Sequence, residues 1–345
     1  MTELTEEQRG LRDAVRTLLA KRSDSAAVRR AVTEPGGYDA TLWKVLCEQI
    51  GVAALAVPER FGGVGAGRRE VQLVMEQLGR TLTPSPMLGS VLAASLLVHL
   101  GDDASARLLP RIAEGAVAAV AWADDTGRWD RGAVTVDAGR LSGEAYFVLD
   151  GDLAEMLLVV GDGAVYEVDP ALTKRTHTAT MDLTRRLARV RLDAVPGIRI
   201  GPPDATGALA AALDEAVVAL AAEQVGAAAA ALETTVEYTK VRQQFGRPIG
   251  SFQALKHRMA DLYVLLEAAR SAAYGLGKGS VHPSVAKAYC SEAFQTIAGE
   301  MIQLHGGIAI TWEHDAHLFF KRAHGSAALF GSPGSHLRRL EMEIG

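Results

Sequence analysis

Apolar residues at the start of the chain recur with a helical period: Leu4, Leu11, Val15, Leu18 and Leu19 fall on one face. Thr5 followed by Glu6, Glu7 and Gln8 predicts the helix start, with acids near the positive end of its dipole. Further helical patterns cover residues 40–50, 68–79, 88–99 and 105–114, with a glycine-rich loop, AVPERFGGVGAG, over 56–67. From about residue 116 the pattern changes to short apolar or alternating runs at 117–122, 133–136, 145–149, 156–160, 165–168 and 188–192. Turn pairs such as Asp150-Gly151 and Asp162-Gly163 separate them. This rhythm predicts a small antiparallel sandwich or barrel. The lack of crossover-length helices between the runs argues against a doubly wound parallel sheet. Pro202-Pro203 closes that zone, and helical patterns resume over 207–240, 252–276, 283–304 and from about Glu313. The expected fold is α+β and mainly α: an N-terminal helical domain (1–115), a middle β-domain (116–204) and a C-terminal helical bundle (205–345).

Composition narrows the function classes. The chain has 345 residues, 48% of them hydrophobic, enough to bury a large core without metals or disulfides. Aromatics are only 6%, so Ala, Leu and Val carry the packing. A net charge of −5 offers no basic face for nucleic acid. Cys47 and Cys290 form no metal-spaced set and no disulfide framework. The charged N-terminus has no apolar core of a signal peptide, and the most apolar run, 216–232, is interrupted by Glu223 and Gln224. No membrane span and a cytoplasmic location are therefore expected.

Two motifs are weak. Gly63, Gly65 and Gly67 lie between helices, not between a strand and a helix, so a plain turn fits better than a dinucleotide loop. His314, Asp315 and His317 lack the further ligands of a metal site, and capping or polar packing accounts for them more simply.

The informative stretch is VEYTKVRQQFGRPIGSFQALKHR, residues 236–258. It ends one long helix, turns through Gly246, Pro248 and Gly250, and opens another. The corner presents a guanidinium (Arg242), an aromatic face (Phe245) and amides (Gln243, Gln253). Such groups suit a phosphate, a base and a ribose. An ordinary interhelical turn with surface polar residues is the competing account, and chemistry alone favours that turn.

This stretch resembles the signature turn of acyl-CoA dehydrogenases. The resemblance implies that Arg242, Phe245 and Gln253 reach the ADP half of an FAD bound mainly by a neighbouring subunit. QLHGG, residues 303–307, resembles the family's Gln-x-x-Gly-Gly segment. It implies that Gln303, Gly306 and Gly307 approach the flavin pyrophosphate, the glycines allowing close backbone contact. The loop at 56–67 and the segment GEAYFVLDGDLAEMLLVV, residues 143–160, are softer matches. By resemblance the C-terminal zone is a four-helix bundle. The resemblance also implies FAD-dependent α,β-desaturation of an acyl-CoA to the trans-2-enoyl-CoA, with an electron-transfer flavoprotein taking the electrons, and an oligomeric assembly.

The family pattern fails in two places. Where members carry a Thr-Glu-Pro-like loop against the flavin ring, residues 120–132 read VAWADDTGRWDRG. The reaction needs a carboxylate within reach of the α proton. Many members place a Glu before a Gly-Thr near the C-terminus, and that position is Phe330, followed by Gly331 and Ser332. The alternative family position, early in the long helix, falls on Ala216, beside Asp214 and Glu215; Glu223 lies further along. The catalytic residue is left unassigned. Two roles stay open: a self-sufficient acyl-CoA dehydrogenase, or the partner subunit of a mixed tetramer that lends FAD contacts to a catalytic chain. A flavin-free interaction protein is the weaker third. The acyl group is not legible.

Overall fold

Thr5 caps the first helix through a reciprocal box: its hydroxyl accepts from the Gln8 amide and the Gln8 side chain accepts from the Thr5 amide, both at 3.1 Å. The computed structural model describes residues 4–130, 132–275 and 282–344. The N-terminal helices are α1 (Glu6–Arg22), α2 (Ser25–Ala31), α3 (Ala40–Val45), α4 (Arg68–Arg80), α5 (Met87–Leu100) and α6 (Asp103–Ala113). Asp24, Asp39 and Asp102 cap α2, α3 and α6. The pattern predicted over 40–50 is α3 followed by a π turn, Leu46–Ile50, stopped by Gly51 at φ 78°. The glycine loop is a tight turn: Gly65 has φ +64°, and a Cβ on Gly63 would lie 1.9 Å from the Val57 carbonyl oxygen.

The middle zone holds β1 (Ala118–Ala121), β2 (Val134–Asp137), β3 (Arg140–Leu149), β4 (Met156–Gly161), β5 (Ala164–Val168), β6 (Lys174–Thr178) and β7 (Leu187–Ile200). Pairing runs β4-β2-β3-β7-β5, and β5 returns to β4, so the sheet closes on itself; β1 adds to β4 and β6 to β7. The ladders are antiparallel except β1–β4 and the single β2–β4 pair, which are parallel. The polar strand β6 (KRTHT) carried no apolar signal; it is held by backbone pairing to β7.

The C-terminal helices are α7 (Thr206–Val241), α8 (Gln253–Tyr274), α9 (Pro283–His305), α10 (Ala316–Ala328) and α11 (Pro333–Ile344). Residue 276, where the second of these was expected to end, lies outside the described residues. α7 is the axis of the fold. By length and composition it could cross a membrane, but 89% of its apolar window is buried inside the fold. It crosses α4 at backbone contact, because a Cβ on Gly226 would lie 1.9 Å from the Glu76 carbonyl oxygen and one on Gly79 2.0 Å from that of Glu223. Small residues at the crossing, not large apolar ones, allow this approach, and α7 runs through both the core of the N-terminal helices and that of the bundle. Glu76 of α4 then reaches Arg270 and Tyr274 of α8, and Gln72 donates to the Ala273 carbonyl at 2.7 Å.

Candidate functional site

The corner after α7 is built by a two-residue hairpin. Gln243 pairs with Pro248 and Gln244 with Arg247. Phe245 and Gly246 at its tip have φ +53° and +76°, the double positive φ of a tight hairpin turn. This conformation is unusual for an aromatic residue, and it turns the Phe245 ring outward, 91% exposed. The Arg247 guanidinium carbon sits over the Phe252 ring, 4.0 Å from its centroid, so the second arginine of the corner is engaged within it. Arg242 and Gln253 are exposed.

The second segment sits beside this corner. Tyr238, one turn before Arg242, stacks on His305 at 4.2 Å and donates to its carbonyl at 3.3 Å. Arg258 of α8 bonds Glu300 of α9 at 2.7 Å, which ties the start of one helix to the end of the other. Gln303, Gly306 and Gly307 are exposed, and a Cβ on either glycine would meet nothing within 4 Å. The structure therefore brings Arg242, Phe245, Gln253, Gln303, Gly306 and Gly307 to one end of the bundle. There a guanidinium, two amides and open glycine backbone form a surface suited to an anion carrying a planar group.

A large cavity lies elsewhere. It has a volume of about 930 Å³ and is walled by Trp122, Trp129, Leu209, Leu213, Phe330 and His336, among others. Leu213 is 29 residues before Arg242, so the helical rise sets the corner about 43 Å from this chain's own cavity along α7.

The two places where the family pattern fails touch each other. Trp129 packs edge-on against Phe330 at 5.0 Å and against Trp122 at 5.7 Å, and all three rings are buried. The turn carrying Phe330 is strained, with φ +61° at Phe330 and +98° at Gly331. Two groups hold it. His336 Nε2 donates to the Phe330 carbonyl at 2.9 Å, while its Nδ1 lies 3.1 Å from the Ser284 hydroxyl. Lys287, fully buried, donates to the carbonyls of Ser326 and Ala327 at 2.7 and 2.9 Å, closing the end of α10. Burial pushes the Lys287 ammonium down to about 7. Sequence reading missed both groups. A lone lysine inside an apolar helical stretch was the only available signal.

The acids near the family's base positions are committed elsewhere. Glu215 turns to Arg68 of α4 at 2.6 Å and lines a separate small pocket. Asp214 pairs with Arg339 at 2.7 Å, and Ala216 is buried. Glu223 lies between Arg185, at 2.6 Å, and Arg322, which also binds Asp182 at 2.9 Å. Burial pushes the Glu223 carboxyl up, but the two guanidiniums outweigh it and hold it below the usual range. Asp130 is exposed at the cavity rim. Of the weak histidine motif, Asp315 pairs with Arg29 at 2.5 Å, His314 accepts from the Ala316 amide, and His317 packs on Trp312.

Comparison with known proteins gives concordant matches. Residues 5–116 match the family model of the acyl-CoA dehydrogenase N-terminal domain, and 207–345 that of the acyl-CoA dehydrogenase C-terminal domain. Acyl-CoA dehydrogenase IpdE2 of Mycobacterium tuberculosis is 45% identical over 347 residues, 98% of each chain. Among solved structures, a variant of the Tcur3481–Tcur3483 steroid ACAD superposes with a TM-score of 0.89 at 30% identity, covering 99% of this chain and 98% of that one. The ChsE4–ChsE5 complex from Mycobacterium tuberculosis superposes with a TM-score of 0.88 at 26% identity, with the same coverage.

Proposed function

The chain belongs to the acyl-CoA dehydrogenase family, and from that premise we propose that it works as one of two unlike chains in an FAD-dependent acyl-CoA dehydrogenase, lending nucleotide contacts to a flavin whose ring lies in its partner. The observation that carries the reading is the ring end, where Trp129 packs on Phe330 and Trp122 in place of the family's loop and base; the corner, about 43 Å from the cavity of its own chain and so farther than one dinucleotide cofactor reaches, supports a flavin shared between chains. A corner that holds FAD must hold it for another chain.

The residues suit the nucleotide half of FAD and not the ring half. Arg242 supplies a charge-assisted contact to the pyrophosphate, Gln253 and Gln303 supply amide hydrogen bonds, and Gly306 and Gly307 let phosphate oxygens approach the backbone. At the ring end, Trp122, Trp129 and Phe330 stand where other members carry the flavin-contacting loop and the base. Phe330 holds no proton, and Glu215 and Glu223 are bound to arginines. Asp130, at the cavity rim, is the one lining carboxylate with no ion-pair partner among the described residues; base and ring pocket are assigned to the partner chain. FAD, when bound, accepts the hydride leaving the β carbon of an acyl-CoA. An electron-transfer flavoprotein is the expected oxidant. The likeness to a steroid ACAD makes bulky, ring-bearing acyl groups the substrate class to try first.

The test is the colour of the protein. Purified alone, the chain is expected to lack the flavin absorbance bands. Co-expressed with a second acyl-CoA dehydrogenase chain, it is expected to be yellow and bleached by acyl-CoA. A yellow, acyl-CoA-bleachable protein made of this chain alone overturns the proposal.

A further inference from the structure

His305 closes α9 directly before Gly306 and Gly307, and its imidazole is buried, 4% exposed. It meets two other rings: Tyr238 of α7 stacks on it at 4.2 Å, and His314 lies tilted at 4.5 Å. His305 Nδ1 is 2.8 Å from the Met301 carbonyl, which can only accept, so the proton of the neutral ring sits on Nδ1 and Nε2 keeps a bare lone pair. That Nε2 is buried and has no hydrogen-bond partner. His314 Nδ1 accepts from the Ala316 amide at 3.1 Å, which puts its own proton on Nε2. Two neutral imidazoles are thus in contact beside the glycine backbone offered to the pyrophosphate.

A polar atom buried without a partner destabilises the fold, so its presence at this position points to a second state of the ring. Burial pushes the His305 imidazole below the usual histidine range; the Met301 carbonyl draws it up and His314 pushes it down. Burial lowers His314 as well, against the pull of Asp315. The charged groups on the adjoining elements do not supply a free countercharge. Arg29 of α2 pairs with Asp315, Arg258 of α8 with Glu300, and Lys240 of α7 with Glu237. Arg242 of α7 and Lys256 of α8 are exposed cations whose charge is constant near neutral pH, and His317 of α10 is in electrostatic reach of His314. A pyrophosphate diester brings two negative charges, and a nearby anion favours the charged form of a histidine. The two rings take only one added proton, because a second would set like charges 4.5 Å apart.

We propose that His305 is a proton-uptake residue for the nucleotide end of the flavin: it is neutral when the corner is empty and takes one proton from solvent as the pyrophosphate docks against Gly306 and Gly307. His314 is the neighbour that keeps it neutral until then. His305 is a positioning residue, since its ring is buried and its charge acts through the glycine backbone it precedes. FAD is therefore held most tightly below the histidine range, and the hold weakens as pH rises through the bound-state value. This inference rests on the reading that the corner holds the nucleotide half of FAD.

The experiment uses the flavin-loaded complex of the two chains, diluted and equilibrated from about pH 5.5 to about pH 8, across the histidine range. Released FAD is separated by ultrafiltration and read by its fluorescence. The dissociation constant is expected to rise about tenfold across that range, the equivalent of a one-unit difference between the bound and empty states of the ring. His305→Phe keeps a ring for Tyr238 to stack on and is expected to flatten the profile. His314→Gln, at a partly exposed position, removes the opposing neighbour and is expected to move the rise to higher pH, which carries the test if His305→Phe does not assemble. His257→Gln, on an exposed histidine of α8, is expected to leave the profile as in the wild type. A purely structural role for His305 weakens binding equally at every pH. A flat wild-type profile, or a His305→Phe profile parallel to it, overturns the inference. Arg242→Ala separates the two failures: a complex that keeps its flavin sinks the reading of the corner, whereas one that loses it while the His305→Phe profile stays parallel sinks this inference only.

Discussion

Replacing Glu223 by Gln distinguishes a structural acid from a catalytic one. Glu223 is buried with Arg185 and Arg322, and this cluster joins α7, α10 and the segment entering β7. Removing one partner from a buried ion pair costs about 3–5 kcal/mol, because the remaining charges stay buried without compensation. For 345 residues the unfolding entropy near 60 °C is about 0.7 kcal/mol/K, so the midpoint should fall by about 4–7 °C. The carboxyl is held below its usual range in the fold, so it contributes stability above its unfolded value. That contribution is lost as pH falls through the lowered folded value. The gap between wild type and Glu223→Gln should be full at pH 7 and close as pH falls below the ordinary glutamate range through the lowered folded value. The assay is thermal unfolding by circular dichroism from pH 3 to 8, with turnover of the co-expressed complex measured below the unfolding range. An unshifted midpoint with turnover abolished would refute the reasoning and make Glu223 the base.

Four further outcomes are expected. Glu215→Gln breaks a partly exposed pair with Arg68 and should cost less than about 1 kcal/mol while leaving turnover of the complex intact; lost turnover would return Glu215 to the active site. Gly226→Ala should destabilise by about 2–4 kcal/mol in denaturant unfolding, because forcing α4 and α7 apart outweighs the roughly 1 kcal/mol helix gain; a more stable variant would contradict the crossing. Lys287 is held at about 7 in the fold against 10.5 when free, so the unfolded chain binds an extra proton between those values and stability should rise with pH there by about 1.4 kcal/mol per unit. Lys287→Met should flatten that slope, and equal slopes in both proteins would show that the ammonium is not the titrating group.

The helix, sheet, helix order was legible because each zone writes its own period. Leu11, Val15 and Leu18 repeat at helical spacing, while the β-zone runs are short and separated by Asp-Gly turns. β6 was missed because it is polar throughout and stabilised by pairing alone, and α2 because seven residues carry too little periodicity. At the site, the corner was legible as a turn between helices rich in polar groups. Its closeness to the Gln303–Gly307 backbone was not, since it depends on Tyr238 meeting His305 across 67 residues. Counting along the chain located Phe330 and the altered loop around Trp129 separately. Only the fold shows them packed on each other, and only the fold turns Glu215 away to Arg68. Adjacency in sequence says little about which helix face an acid takes, because one residue is about 100° of rotation.

Flavin content of the assembled complex after Arg242→Ala in this chain tests the account most directly. The account predicts one flavin per pair of chains in the wild-type complex, and loss of most of it on gel filtration of the variant, with the chains still associated. Full flavin retention by the Arg242→Ala complex would contradict it.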